Sequence, residues 1–216
     1  MQLLADRASA RPTAGRSAEP LLAVAVAVLG GLVLGIGTQV LQGVLPGSWG
    51  VLANSGVAWA LGAFALGTVM PSVRAAALGG AAAMVLASVS YYEAVAWFEG
   101  HASDQRGAVI WSLAGLAAGP VFGVAGRWAR SRPDVRWLAI APVGGILLGE
   151  GAHLLWFVGV DHLWPAGLVE VALGAVLTTI GVLRHRRPMA VLAIVATALA
   201  LHRVGSGLVE SGFRSF

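Results

Sequence analysis

The sequence predicts an all-α, polytopic membrane protein, a bundle of seven transmembrane helices. Three observations carry this expectation. Of 216 residues, 57% are hydrophobic and only 11% charged, and the mean hydropathy is +0.80, far above the range of soluble domains. Seven windows of about 20 mostly apolar residues follow one another, each long enough to cross about 30 Å of hydrocarbon. The arginines between them alternate between crowded and nearly empty segments, as cytoplasmic and outer loops do.

The elements follow in order. Residues 1–20 are polar and rich in Arg, Ala and Ser; they read as a disordered cytoplasmic tail, and the apolar run after them is too long for a signal-peptide core. The first span lies near 21–43 and stops at Pro46-Gly47-Ser48. The second, near 50–70, ends at Pro71-Ser72, and the third, near 74–97, at the polar stretch from Gly100 to Arg106. The fourth, near 107–127, runs into the basic stretch from Arg127 to Arg136. The fifth covers about 137–157, the sixth 164–183 and the seventh 188–209, separated by Gly159 to His162 and by Arg184 to Pro188. Each boundary carries turn residues or charge. Residues 210–216 are expected as an extracellular tail.

Direction follows from the arginines, which supply all the positive charge because the chain has no lysine. With a cytoplasmic amino terminus, the inside segments hold Arg7, Arg11, Arg16, Arg74, Arg127, Arg130, Arg132, Arg136, Arg184, Arg186 and Arg187. The outside loops hold Arg106, the outer tail Arg214, and the last span Arg203. This pattern places a multi-pass protein in a bacterial cytoplasmic membrane, amino terminus inside and carboxy terminus outside. It also accounts for the net charge of +4 without nucleic acid. The absence of cysteine excludes disulfides and thiolate metal sites. Thirty glycines suit closely packed transmembrane helices.

An internal repeat is expected. Gly30-Gly31-Leu32-Val33-Leu34-Gly35-Ile36-Gly37-Thr38-Gln39-Val40-Leu41 recurs as Gly144-Gly145-Ile146-Leu147-Leu148-Gly149-Glu150-Gly151-Ala152-His153-Leu154-Leu155, with about half the positions identical. Ala60-Leu61-Gly62-Ala63 likewise matches Ala172-Leu173-Gly174-Ala175. Because one span intervenes, the copies point the same way, in a parallel three-plus-one-plus-three layout. The copies differ where Ile36 is matched by Glu150 and Gln39 by His153. A carboxyl gained inside a membrane helix costs several kcal/mol unless protonated, paired or hydrated.

The polar residues fall in the half of the membrane expected to face outward. Glu150, His153 and Phe157 lie on one helix face, Glu170, Gly174 and Thr178 on another, and Arg203, Gly207 and Glu210 on a third. These faces are expected to converge on one cavity. Gln39, Asn54, Trp59, Tyr91, Tyr92, Glu93, Trp111, Trp156, His202 and Arg203 are its candidate substrate-binding residues, with Glu150, Glu170 and His153 as candidate catalytic groups. Glu150, buried without a partner, would stay protonated, the form a general acid needs. Aromatic faces beside carboxyls could hold a cation. Glu150 and His153 form the Glu-x-x-His pair of di-metal bundles, but the matching positions are Ile36 and Gln39, so no metal is expected. No cofactor or nucleotide motif is present. Trp49, Trp128, Trp137 and Trp164 read as interfacial anchors.

The segments Leu-Ala-Asn-Ser-Gly-Val-Ala-Trp (52–59), Tyr91-Tyr92, Gly-Pro-Val-Phe-Gly-Val-Ala-Gly (119–126) and Gly-Glu-Gly (149–151) resemble the pattern of an uncharacterised family of actinobacterial membrane proteins, over about residues 28–205. That resemblance implies no activity. In architecture alone, seven spans with buried acids resemble the integral membrane terpene cyclases, which implies protonation of an alkene or epoxide by an embedded acid and cationic ring closure. The leading expectation is therefore a membrane enzyme acting on a lipophilic, isoprenoid-type substrate that enters from the bilayer. Glu150 would donate the proton, while Glu170 or His153 would orient it or accept the final one. The alternative is a small-molecule transporter built on parallel three-helix repeats. Against transport, no proline set interrupts equivalent helices in the two halves.

Overall fold

A computed structural model of the chain describes residues 18–214. The tail expected over residues 1–20 therefore lies mostly outside the described residues. Among the described residues eight helices form: α1 (Ala18–Val44), α2 (Trp49–Ala53), α3 (Gly56–Val69), α4 (Val73–Glu99), α5 (Gln105–Ser131), α6 (Arg136–Trp156), α7 (Trp164–Arg184) and α8 (Pro188–Arg214). Single 3₁₀ turns at Pro133–Val135 and Asp161–Leu163 precede α6 and α7. No strand occurs among the described residues.

Among the described residues seven stretches are long and apolar enough to cross a membrane, which makes this a multi-pass membrane protein. The second, Trp49–Val69, is α2 and α3 taken together. Helices run somewhat past the apolar windows. Residues 18–20 belong to α1, and α8 continues through Arg214, over most of the stretch read as a tail. The end of the bundle where α1 starts is called here the near end, and the other the far end.

Local chemistry sets the helix limits. Ser72 caps α4 by accepting from the Ala75 amide, and Asp104 caps α5 by accepting from the Gly107 amide. Helix α4 stops at Gly100, whose φ of 71° is left-handed.

Between spans the attraction is close packing rather than water exclusion, so small residues decide which helices meet. Gly67 of α3 and Gly123 of α5 touch so closely that a Cβ at Gly67 would lie 2.0 Å from the Gly123 carbonyl oxygen. Helix α4 joins these two, giving a tight trio of α3, α4 and α5, against which α1 packs through α4. On the other side α6 packs against α7 and α8. The two groups meet where α6 contacts α3 and α5, around Val57, Trp59, Ala63, Phe122, Val143 and Leu147. Helix α6 is thus a central helix and α1 a peripheral one.

Candidate functional site

The second span breaks at Asn54 and Ser55. Both side chains can bond nearby backbone groups and so compete with the helix. Asn54 leaves helical geometry at φ −105°, ψ 41°, and Ser55 is extended at φ −96°, ψ 149°. Helix α3 then restarts inside the bundle. A restarted helix exposes N–H groups with no partner in its own turn, and in hydrocarbon each unsatisfied group costs several kcal/mol.

Those amides are satisfied from two directions. Ser55 Oγ accepts from the Ala58 amide at 2.9 Å. Glu150 of α6 covers the others: Gly56 N donates to Oε1 at 3.0 Å and Val57 N to Oε2 at 2.8 Å. The carboxyl therefore sits across the positive end of the α3 dipole, a favourable place for negative charge. Gly56 permits the approach, since a Cβ there would lie 3.1 Å from Glu150 Oε2. The partnerless acid expected at 150 is in fact doubly bonded.

On the other side of the break, Asn54 Nδ2 donates to the Tyr91 hydroxyl at 3.0 Å, which donates to Gln42 Oε1 at 2.9 Å. This relay ties α1, the break and α4 together. Tyr91 also meets Trp59 edge-on at 6.0 Å and Tyr92 at 5.1 Å. Beside them lies a cavity of about 140 Å³, lined by Asn54, Ser55, Gly56, Trp59, Tyr91, Tyr92, Trp111, Met84, Ile146 and small residues of α3 and α5. Neither lysine nor arginine lines it. Trp59 is 7% exposed, and its Nε1 has no hydrogen-bond partner among the described residues.

Glu170 of α7 is 2% exposed, and neither of its oxygens has a hydrogen-bond partner among the described residues. It lies close enough to Glu150 for the two carboxyls to interact electrostatically. The unpartnered acid of this region is Glu170.

The remaining candidates separate. His153, His202 and Arg203 form a second cluster between α6 and α8. The His153 ring stacks on Phe157 at 6.1 Å, meets His202 edge-on at 6.4 Å, and has Nε2 3.8 Å from Glu210 Oε1. The Arg203 guanidinium lies 3.9 Å over the Phe157 ring. Trp111 lines the cavity, but Trp156, 69% exposed, faces outward from the bundle. Glu93 is exposed and accepts from Gln105 Nε2 at 3.1 Å. Gln39 is half-buried on α1 and does not line the cavity; Gln42, one turn later, holds Tyr91. The residues missed as candidates are Gln42, Ser55 and the backbone amides of Gly56 and Val57. Their signal was the Asn54-Ser55-Gly56 triplet, a turn sequence inside an apolar window.

The arrangement offers a carboxyl held on a helix end, aromatic faces and an indole N–H around a small void. A profile described as "Family of unknown function (DUF6518)" matches residues 14–212. The chain belongs to that family. No curated protein and no solved structure matches it.

Proposed function

We propose that this member of the DUF6518 family is a transporter that binds a small organic cation at the break in its second span. The observation that carries the reading is the interrupted span itself, with the Glu150 carboxyl seated on the exposed end of α3. Discontinuous helices beside a central site are a recurrent feature of secondary transporters. The chemistry of the void favours a cation: aromatic rings of Trp59, Tyr91, Tyr92 and Trp111, a carboxyl one residue layer away, and no basic lining side chain. Size favours a small one. A void of about 140 Å³ matches the roughly 150 Å³ cavity that holds benzene, and is well below the roughly 300–1,000 Å³ of sites for larger ligands. The arginine distribution supports a cytoplasmic near end, with the cavity in the outer half of a bacterial cytoplasmic membrane. The sequence-matched segments support reading α1 and α6 as the leading helices of two parallel three-span repeats.

The test is uptake of radiolabelled tetramethylammonium and short-chain amines into liposomes containing the full chain. Saturable uptake is expected, reduced at least tenfold in Trp111→Ala, which removes a lining ring without orphaning a buried backbone amide. Uptake no greater than in protein-free liposomes across the panel overturns the reading.

A second reading, the acid-initiated cyclisation of an isoprenoid-type lipid, is favoured by Glu170. Both Glu170 oxygens lack a hydrogen-bond partner among the described residues, whereas both Glu150 oxygens already accept amide hydrogens. In that reading Glu170 is the acid and the aromatic void receives only the reacting end of the chain. A cyclised isomer of unchanged mass, formed by the purified protein from a prenylated acceptor and lost in Glu170→Gln, selects it over transport.

A further inference from the structure

The near end carries a feature unrelated to the cavity. Helices α5 and α6 each contain an internal proline, Pro120 and Pro142. Each proline removes one backbone hydrogen bond from its helix. Between these helices lies a groove of about 630 Å³, lined by Pro120, Val121, Val124, Leu138, Pro142 and Ile194 along its length and by Trp128 and Arg132 at its near-end mouth.

Dimensions and charge identify an occupant. From Pro120 to Arg132 the chain advances twelve residues, about 18 Å of helix. That is about the hydrocarbon depth of one leaflet, roughly 15 Å, plus its interface. The groove wall is apolar over that depth and basic only at the mouth. There Arg132 lines the groove and pairs with Asp134 by a long, exposed contact at 3.3 Å, while Arg127 and Arg136 of the same basic stretch donate to the backbone carbonyls of Pro71 and Ala129. Exposed pairs of this kind contribute at most about 1 kcal/mol, so a phosphate can displace it. Trp128, exposed at the same level, is suited to a headgroup interface. Basic pockets between spans are known sites for anionic headgroups.

We propose that this groove binds one anionic phospholipid, with an acyl chain between α5 and α6 and the headgroup phosphate on Arg132. The site is separate from the cavity, and its failure would leave the transport reading untouched.

The experiment is native mass spectrometry of the full chain in nonionic detergent, titrated with phosphatidylglycerol or phosphatidylcholine. One phosphatidylglycerol should be retained at least tenfold more tightly than phosphatidylcholine. Arg130→Gln with Arg132→Gln should reduce that preference to less than threefold. Val121→Trp, at an exposed groove position, should weaken retention of both lipids at least fivefold. Equal retention of the two lipids by the unaltered chain overturns the proposal. So does an unchanged preference in the arginine variant, unchanged retention in Val121→Trp, or displacement by glycerol 3-phosphate, which would mark a site for soluble anions.

Discussion

Helices α1 and α6 carry matched stretches of sequence yet occupy different surroundings. Gly31 and Gly35 bring α1 against Ala83 and Ala87 of α4; Gly145 and Gly149 bring α6 against Val195 and His202 of α8. On this side the two helices are used alike. On the other they are not. Helix α1 is peripheral, and Ile36 is 43% exposed toward lipid. Helix α6 is central, and the matching Glu150 meets the start of α3. A position that a peripheral helix turns to hydrocarbon becomes, in a central one, a contact with the other half. Glu150 is tolerable because its neighbour is a broken helix in need of acceptors.

Five substitutions break or sharpen this contrast, each measured by equilibrium unfolding in mixed micelles. Glu150→Ile, which gives the second segment the residue of the first, should cost the most. It orphans two buried N–H groups at about 1–3 kcal/mol each, or about 4 kcal/mol in all; a loss under about 1 kcal/mol would show that α3 does not depend on α6. Ile36→Glu, the reverse exchange, should cost about 3 kcal/mol, because no helix end awaits the carboxyl there. Neutrality at 36 would mean that α1 is covered by a partner rather than lipid.

Gly31→Ala and Gly145→Ala should cost similar amounts, about 1–2 kcal/mol. In each case the new Cβ would lie 2.7 Å from an opposing backbone oxygen, of Ala83 or Val195. Values differing by more than twofold would end the equivalence of the α1–α4 and α6–α8 pairs. Tyr91→Phe should have the smallest effect, about 0.6 kcal/mol, the mean for a side-chain hydrogen bond inside a membrane protein. A loss several times larger would make the relay from Asn54 to Gln42, and not Glu150, the main support of the break.

Much of the architecture was legible in the sequence, because transfer of apolar residues to hydrocarbon leaves long windows that survive any averaging. The same averaging hid the break. With Asn54 and Ser55 inside it, Trp49–Val69 keeps a mean hydropathy of 1.4, the lowest of the seven but still that of a single span, and no proline marks the place. The candidate site was legible in residue type but not in grouping. Glu150 and His153, three residues apart, differ by about 60° around α6. On a helix with neighbours on several sides that angle is enough to send Glu150 to α3 and His153 to α8. Trp156, a further three residues on, is turned by about 120° from Glu150 and looks outward. Glu170 was a candidate as a rare acid on a helix face expected to converge with that of Glu150; its lack of partners depends on how α7 packs, which sequence spacing does not encode.

The bond from Gly56 to Glu150 joins residues 94 positions apart, and this separation has a consequence for biogenesis. During translation the second span enters the bilayer long before the fifth exists. At about 5–20 residues per second, the amides at the start of α3 wait about 5–20 s for their acceptor. Over that interval the half-helix is held by Ser55 alone, and the nascent second span is metastable until α6 is threaded beside it.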